Sequence, residues 1–236
     1  MRDPAPARVR EVDGQHVASQ ASVLADETGS AFMGGLFQCI AQWAQVLDKA
    51  GVAVRTGKGL GWGDHTRAAH TGTERFFRPL YEANLVSTWI PALDGVDAKL
   101  RRGARIAAVG CGHEASTVIM ARAYPNSTFV GFDFHPPSIE RARRLAADAG
   151  VAERVTFEVA RSTEVTGGDY HLVAVFDALH DTDDPVGAAA QARRALAPDG
   201  TLLVVEPFAN HRLEGNLNPV GRIYYGASTL VCTPAR

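Results

Sequence analysis

Apolar runs in the second half of the chain predict a regular alternation of strands and helices. Five runs of four to six residues have a strand-like composition, at residues 106–109, 128–132, 155–159, 171–176 and 201–205. Amphipathic or alanine-rich stretches separate most of these runs. Strands that are apolar on both faces and joined by helices indicate a parallel sheet covered on both sides. The predicted fold class is therefore α/β, with a doubly wound, mostly parallel sheet.

The first half of the chain has a helical pattern instead. Apolar residues at helical spacing predict one helix over residues 31–50, which Gly51 would end. The same spacing predicts a second helix over residues 73–90, with an early turn or kink at Pro79 and an end at Pro91. These helices would precede the strand–helix part of the chain.

The change of pattern near Gly103 divides the chain into two parts. We assign residues 1–98 to an N-terminal helical extension and residues 99–236 to a strand–helix domain. After the fifth predicted strand, residues 207–236 have room for a helix but show no convincing pair of strands. The fifth strand is therefore expected to remain an exposed edge of the sheet.

A glycine turn follows the first predicted strand. Gly110-Cys111-Gly112 leads into a helical run, and Asp133 ends the second strand about 20 residues later. Glycine lets the backbone approach a ligand, a helix N-terminus favours an anionic group, and a carboxylate accepts hydrogen bonds from ribose hydroxyls. This order indicates a nucleotide-like cofactor site. Because Ala115 completes a Gly-x-Gly-x-x-Ala pattern, a nicotinamide-dependent reductase is a competing interpretation.

Polar residues follow the later strands as well. Asp177 comes after the fourth predicted strand, Glu206 after the fifth, and His180 lies three residues beyond Asp177. The carboxyl ends of parallel strands meet at one edge of the sheet, where ligands bind in such folds. His180 is the best candidate for a general base, because an unperturbed imidazole titrates near neutral pH. The alternatives are structural: His180 could pack the loop, Asp177 could stabilise it, and Asp133 could cap the next helix.

Composition and charge exclude several classes of partner. The net charge is -2 and 46% of the 236 residues are hydrophobic, so we expect neither nucleic acid nor an anionic membrane as a partner. Three widely spaced cysteines without a Cys-x-x-Cys motif favour a reduced, cytoplasmic setting. The polar first residues lack the apolar core of a signal peptide, and residues 31–47 contain three glutamines. That stretch therefore favours an amphipathic helix over a membrane span.

No metal centre is expected from the sequence. His65 and His70 lie in a polar loop without cysteine partners, so surface placement is favoured over a zinc site. Asp181, Asp183 and Asp184 could offer hard oxygen ligands to a divalent ion. Asp184 stands at a predicted helix start, however, so a helix cap with solvated neighbours is the favoured interpretation.

Taken together, the motifs of the second half resemble class I S-adenosylmethionine-dependent methyltransferases. The glycine turn and Asp133 are accompanied by a Leu-His-Asp step at residues 179–181 and by a Pro-Asp-Gly turn at residues 198–200, before a strand that ends in Glu-Pro. These two additions favour a methyltransferase over a reductase. More narrowly, two stretches are similar to bacterial methyltransferases that carry an N-terminal winged-helix domain, at residues 74–79 and 129–139.

The resemblance implies a Rossmann-like methyltransferase sheet and S-adenosylmethionine as the cofactor. It implies methyl transfer to a small molecule, at oxygen, with His180 as the catalytic base. The expected partner is a small-molecule methyl acceptor, and a homodimer is compatible with the pattern. The cofactor-binding residues that the resemblance implies are Gly110, Gly112, Asp133, Phe134 and Asp177.

Three positions depart from the usual pattern of these enzymes and motivate an alternative function. Ala108 replaces an acid near the end of strand one, Glu114 replaces a third glycine, and Arg161 replaces an acid after strand three. Glu114 would face the cofactor's own carboxylate, and two like charges about 4 Å apart repel by about 4 kcal/mol at an effective dielectric constant of about 20. The winged-helix domain and the final hairpin of the family are also expected to be missing. The alternative is a cofactor-impaired homologue that serves as a binding or scaffolding protein.

Overall fold

The computed structural model of the chain describes residues 22–29, 31–113 and 115–235. Within these residues, parallel strands form one sheet, with β1 at Arg105–Val109, β2 at Thr128–Asp133, β3 at Val155–Val159, β4 at Tyr170–Phe176 and β5 at Leu196–Val205. Their order across the sheet is β3-β2-β1-β4-β5, so the strand order reverses between β1 and β4. This order confirms the predicted doubly wound, parallel α/β fold.

Helices flank the sheet and precede it. In the N-terminal part, the described helices are α1 (Ser22–Ala25), α2 (Gly34–Trp43), α3 (Leu47–Thr56), α4 (Arg67–Asn84) and α5 (Val96–Arg102). In the strand–helix part they are α6 (Ala115–Ala123), α7 (Pro136–Asp148), α8 (Pro185–Ala195) and α9 (Pro219–Leu230). No described helix combines the length and the apolar character that crossing a bilayer requires.

The predicted helix over residues 31–50 is wrong in its extent. The chain forms α2, a short 3₁₀ turn at Ala44–Val46, and then α3, which runs through Gly51 and stops before Gly57. Gly57 adopts a left-handed conformation with a φ of 68°, as glycine commonly does just after a helix. Gly51 is an interior helical glycine, which costs only about 0.5–1 kcal/mol relative to alanine. A glycine in the sequence therefore does not by itself fix a helix end.

The second predicted helix begins earlier than its apolar spacing indicates. Thr66 caps α4, because its Oγ1 accepts a hydrogen bond from the N–H of Ala69 at 3.1 Å. Pro79 lies within α4, and the chain continues beyond it as a π-helix over Leu85–Trp89. The polar cap, which carries no apolar periodicity, sets the start of this helix.

Helices α2 and α4 pack closely through glycines. A Cβ atom built on Gly35 would lie 2.3 Å from the backbone nitrogen of Phe76, and one built on Gly72 would lie 2.9 Å from the sulfur of Cys39. Contacts this short leave no room for a methyl group. The two glycines therefore set the distance between the helices.

We expect Gly35→Ala to lower the free energy of unfolding by about 1–3 kcal/mol, because the backbone of α4 must move to admit the methyl group. Gly51→Ala is the matched control, since the nearest atom to its Cβ would be the flexible guanidinium of Arg55 at 3.4 Å. Alanine there should stabilise the chain by about 0.4–1 kcal/mol. Urea denaturation measures both changes, and equal effects of the two substitutions would contradict close packing at Gly35.

The hydrophobic core lies on both faces of the sheet. Neighbouring strand residues alternate between the faces, so that Ile106 and Leu172 pack on one face while Ala107 and Val173 pack on the other. Leu85, which follows α4 and is fully buried, packs with the first face. The helical extension therefore shares a hydrophobic core with the sheet, and this core anchors α4 against the strands.

Among the described residues, β5 forms one edge of the sheet. It pairs with β4, and its register jumps between Leu196 and Thr201, so the Pro-Asp-Gly turn bulges out of the strand. The ammonium group of Lys99 lies 2.8 Å from Oδ2 of Asp199 in this bulge. After β5, the described residues contain a 3₁₀ turn and α9 but no further strand.

Candidate active site

The turn between β1 and α6 has a conformation that requires glycine. Gly110 and Gly112 have positive φ values of 66° and 53°, which residues with a Cβ atom rarely adopt. A Cβ on Gly110 would also lie 2.5 Å from the Cβ of Ala178. The N–H of Cys111 donates to the carbonyl oxygen of Phe132 at 3.0 Å. The turn is therefore held between the end of β2 and the loop after β4.

Asp133 ends β2 and is fixed by two backbone N–H groups. Gly112 donates to its Oδ2 and His135 donates to its Oδ1, both at 2.9 Å. The residue is 7% exposed, and burial raises the pKa of its carboxyl, while the hydrogen bonds from His135 and Gly112 oppose that rise. Each carboxylate oxygen has a second lone pair. Asp133 therefore holds the glycine turn and can still accept hydrogen bonds from a ligand.

A cavity of about 840 Å³ lies at the carboxyl ends of the strands. This volume falls within the range of about 300–1,000 Å³ that is typical of ligand sites. The ring of Phe134, directly after Asp133, is 54% exposed. The structure brings the predicted site residues together around this cavity: Gly110, Gly112, Asp133, Phe134, Asp177 and His180.

Asp177 follows β4 in a conformation that few residues other than glycine adopt. Its φ is 51°, which costs of the order of 1–3 kcal/mol, and its N–H donates to the carbonyl oxygen of Val205 at 2.8 Å. Burial raises the pKa of its carboxyl to about 7, against the opposing effect of His180. A half-buried carboxyl in this state favours a cationic ligand, because a nearby positive charge restores its ionised form.

The side chain of His180 is held at both ring nitrogens. Nδ1 donates to Oε2 of Glu206, and Nε2 lies 3.3 Å from Oδ1 of Asp181. The N–H of Leu179 donates to Oε1 of Glu206 at 2.8 Å, which fixes the acid in turn. Hydrogen bonding with Cys232, and then with Glu206, raises the pKa of His180 to about 11. In this arrangement the imidazole is protonated at neutral pH, whereas the sequence-based hypothesis assumes a neutral base.

The sequence patterns do not identify Glu206 as the partner of His180, nor Cys232 as part of the site. Glu206 carries a usable signal, because it follows β5 and so lies at the same edge of the sheet as Asp177. The sequence around Cys232 carries no signal that places this residue in the site. Cys232 follows α9, and only the fold brings its thiol back to His180.

His65 and His70 are buried, so their predicted placement on the surface is wrong. Each residue is 6% exposed, and the ring centroids of His70 and His135 lie 4.9 Å apart. Nearby, Nδ1 of His113 in the glycine turn lies 3.0 Å from Oε2 of Glu74 on α4. The start of α4 therefore packs against the glycine turn and the loop after β2. A polar loop composition does not reveal such a tertiary contact.

The burial of His70 predicts a pH-dependent stability. Burial lowers the pKa of His70 to about 4, and the neighbouring His135, His113 and His65 add to this effect. Between about pH 6.5 and pH 4 the unfolded chain therefore binds a proton at this position and the folded chain does not. The stability that neutral His70 contributes is present above pH 6.5 and is lost as the pH falls towards 4, by up to about 3 kcal/mol.

We expect His70→Gln to flatten the fall in unfolding free energy between pH 6.5 and pH 4 relative to the wild type. Urea denaturation over this pH range measures the difference. His211→Gln replaces an exposed histidine and should keep the wild-type slope. A wild-type slope in His70→Gln as well would show that His70 does not cause the pH dependence.

The three positions that depart from the methyltransferase pattern have different surroundings. Ala108 is buried in β1 and lines the cavity. Nη1 of Arg161 pairs with Oδ2 of Asp183 at 2.9 Å, and both side chains are exposed. Glu114 lies outside the described residues, so its repulsion of a cofactor carboxylate stays a prediction.

Comparison with known proteins gives a family match and several relatives. The family model described as "Methyltransferase domain" matches residues 100–228, which is more than half of the chain. The 27-O-demethylrifamycin SV methyltransferase of Amycolatopsis mediterranei is 35% identical over 106 residues, 44% of this chain and 38% of that protein. An uncharacterized 37.1 kDa protein in transposon TN4556 of Streptomyces fradiae is 32% identical over 126 residues, 49% of this chain and 33% of that protein. The matches therefore span about a third of the length of each curated relative.

Solved structures share the fold at low sequence identity. An O-methyltransferase family protein from Burkholderia thailandensis superposes with a TM-score of 0.67 at 18% identity, over 87% of this chain and 62% of that chain. Mitomycin 7-O-methyltransferase superposes with a TM-score of 0.62 at 18% identity, over 92% of this chain and 64% of that chain. None of these matches tests the predicted similarity to winged-helix methyltransferases, which stays a prediction. The glycine turn, the parallel sheet and the family match agree, and we conclude that this chain belongs to the methyltransferase-domain family.

Proposed function

We propose that this chain transfers the methyl group of S-adenosylmethionine to an oxygen atom of a small molecule. The observation that carries the proposal is the convergence of the glycine turn, Asp133 and His180 around one cavity. Family membership supports the methyl-donating cofactor. The choice of oxygen and of a small acceptor is supported by the names of two similar proteins, which refer to 27-O-demethylrifamycin SV and to the 7-oxygen of mitomycin.

At the cofactor end, each predicted residue offers a contact that suits one part of the cofactor. Gly110 and Gly112 lack the side chains that would keep a ligand away from the N-terminus of α6. The open lone pairs of Asp133 suit the ribose hydroxyls, and the exposed ring of Phe134 suits a base. The half-buried carboxyl of Asp177 suits a positive charge. When bound, S-adenosylmethionine supplies an electrophilic methyl group on a cationic sulfur.

At the acceptor end, His180 is the residue that we assign to proton removal. Glu206 fixes the imidazole through Nδ1, which leaves Nε2 as the atom that can take a proton from an acceptor hydroxyl. Nε2 lies close to Asp181, and the Cys232 thiol contacts the same imidazole. Before His180 acts as a base, the acceptor hydroxyl must therefore replace these contacts and the imidazolium must release its Nε2 proton to solvent.

The remaining walls of the cavity indicate the class of acceptor. Aromatic side chains are prominent among them: Trp43, Phe76, Phe77, Tyr81, Phe176 and Tyr224. Aromatic walls bury a flat apolar molecule well, whereas a few polar groups fix its orientation. A phenolic acceptor suits this lining.

A cofactor-impaired homologue with a binding or scaffolding role is the second candidate, motivated by Ala108, Glu114 and Arg161. Calorimetric titration of the native chain with S-adenosylhomocysteine separates the two candidates. We expect saturable, one-to-one binding. If the native chain does not bind but Glu114→Gly does, the native chain is cofactor-impaired, as the second candidate requires.

The oxygen assignment needs a separate experiment. The chain is incubated with methyl-labelled S-adenosylmethionine and a panel of small phenols and aromatic amines. We expect label in methyl ethers of the phenols, and label confined to nitrogen would contradict the proposal.

A further inference from the structure

Three side chains with nitrogen, sulfur and oxygen donors converge at the acceptor end of the cavity. One ligand atom from each of His180, Asp181 and Cys232 lies within 4.8 Å of the other two. Nε2 of His180 lies 3.3 Å from Oδ1 of Asp181, and the Cys232 thiol interacts with both residues. The cluster joins the turn after β4 to the segment after α9, which are far apart in the sequence.

Nδ1 of His180 has the kind of hydrogen-bond partner that metal-ligating histidines usually have at the nitrogen that does not bind the metal. Nδ1 donates to Oε2 of Glu206, and the N–H of Leu179 donates to the other oxygen of that acid at 2.8 Å. A carboxylate on the far nitrogen fixes the ring orientation and makes the near nitrogen a better ligand. A carboxylate oxygen of Asp177 also lies within 4.8 Å of ligand atoms of His180 and Glu206. The imidazole is thus presented to Asp181 and Cys232 in a fixed orientation.

The carboxylate of Asp181 supplies a second observation. Its Oδ1 is buried and makes no hydrogen bond within the described part of the chain. A buried carboxylate oxygen without a hydrogen bond is costly, and natural structures usually satisfy it with a donor or a cation. This oxygen lies 3.3 Å from Nε2 of His180, so a cation that displaces the Nε2 proton can bind both atoms at once.

We propose that His180, Asp181 and Cys232 bind a divalent ion of the zinc class, with a fourth coordination position open to the cavity. Mixed nitrogen, sulfur and oxygen ligands suit zinc and cobalt, whereas magnesium and calcium take oxygen ligands. On a tetrahedral zinc ion, bound nitrogen and oxygen atoms lie roughly 3.4 Å apart, close to the 3.3 Å between Nε2 and Oδ1. On binding, the thiol of Cys232 and the imidazolium of His180 each release a proton to solvent.

The inference goes beyond the proposed function, because it depends on the three donors and holds whether or not the chain transfers methyl groups. It also has a consequence for that function. An ion on Nε2 occupies the lone pair that would accept a proton. The metal-bound form and the base-competent form of His180 therefore exclude each other.

Titration of the full chain, reduced and freed of metal by a chelator, with cobalt(II) tests the proposal. Thiolate ligation gives cobalt(II) an intense charge-transfer absorption in the near ultraviolet. We expect this absorption to saturate at one ion per chain, to disappear when zinc is added, and to persist when magnesium is added. Absence of the absorption in the wild type, or saturation at more than one ion, would overturn the proposal.

Three variants locate the ion. Cys232→Ser should abolish the charge-transfer absorption, while Cys39→Ser, which changes a buried cysteine remote in sequence from the cluster, should keep it. Glu206→Gln should keep the absorption but weaken zinc binding by roughly 10–100-fold in calorimetry. Loss of the absorption in Cys39→Ser, or its persistence in Cys232→Ser, would contradict the assignment. Circular dichroism of each variant confirms that it is folded.

Discussion

His180→Ala is expected to slow methyl transfer by about 10²–10⁴-fold, because a positioned side chain that removes a proton contributes a factor of this size. Binding of S-adenosylhomocysteine should stay close to that of the wild type, since His180 is assigned to the acceptor end of the cavity. The rate is measured with methyl-labelled S-adenosylmethionine at saturation, and the affinity by calorimetry. A chelator is present throughout, so that no metal ion occupies Nε2.

Two further variants control this experiment. His211→Ala removes an exposed histidine outside the cavity and should keep the wild-type rate. Glu206→Gln keeps a hydrogen-bond acceptor for Nδ1 but removes the charge, so its rate should lie between those of the wild type and His180→Ala. A wild-type rate in His180→Ala would show that proton removal does not depend on this imidazole.

Asp133→Asn is expected to weaken the binding of S-adenosylhomocysteine by roughly 10–100-fold. A hydrogen bond to a charged group contributes about 1.5–3 kcal/mol, and about 1.4 kcal/mol corresponds to a factor of ten. The new amide also places an N–H group against the N–H of Gly112 or of His135, which disturbs the glycine turn. Calorimetry measures the affinity, and thermal unfolding shows how much of the loss comes from a weakened fold.

Asp148→Asn is the matched control, because it makes the same chemical change at an exposed position near the end of α7. It should leave the affinity unchanged. If Asp133→Asn binds S-adenosylhomocysteine as tightly as this control, Asp133 does not contact the ribose.

The parts of the fold that local chemistry determines could be predicted from the sequence. The apolar runs predict the strands, because a buried parallel strand must be apolar on both faces. Gly110 and Gly112 could be identified because a turn with positive φ, close to a neighbouring loop, tolerates little else. Asp133 and Asp177 could be placed at one edge of the sheet because the carboxyl ends of parallel strands lie together.

The remaining features depend on contacts between segments that are distant in the sequence. Gly51 resembles a helix stop, yet α3 continues through it to Thr56, since the cost of one helical glycine is small compared with tertiary packing. His65 and His70 lie in a polar stretch that the fold nevertheless buries. Cys232 reaches His180 only because α9 returns to the sheet edge. No periodicity or motif encodes these contacts.

The charge state of His180 also depends on residues that are distant in the sequence, so the sequence alone does not predict it. An isolated histidine titrates near neutral pH, which is the basis for expecting a base. Its protonation in the folded chain instead depends on Cys232 and Glu206, which follow His180 by 52 and 26 residues. The residue type could be predicted from the motif, whereas its environment required the fold.

The most direct test of the account is a crystal structure of the native chain grown with S-adenosylhomocysteine. We expect the nucleoside in the cavity beside Gly110 and Gly112, with the ribose hydroxyls within hydrogen-bonding distance of Asp133. A cavity filled by the chain's own side chains, with Asp133 bonded only to the N–H groups of Gly112 and His135, would contradict it.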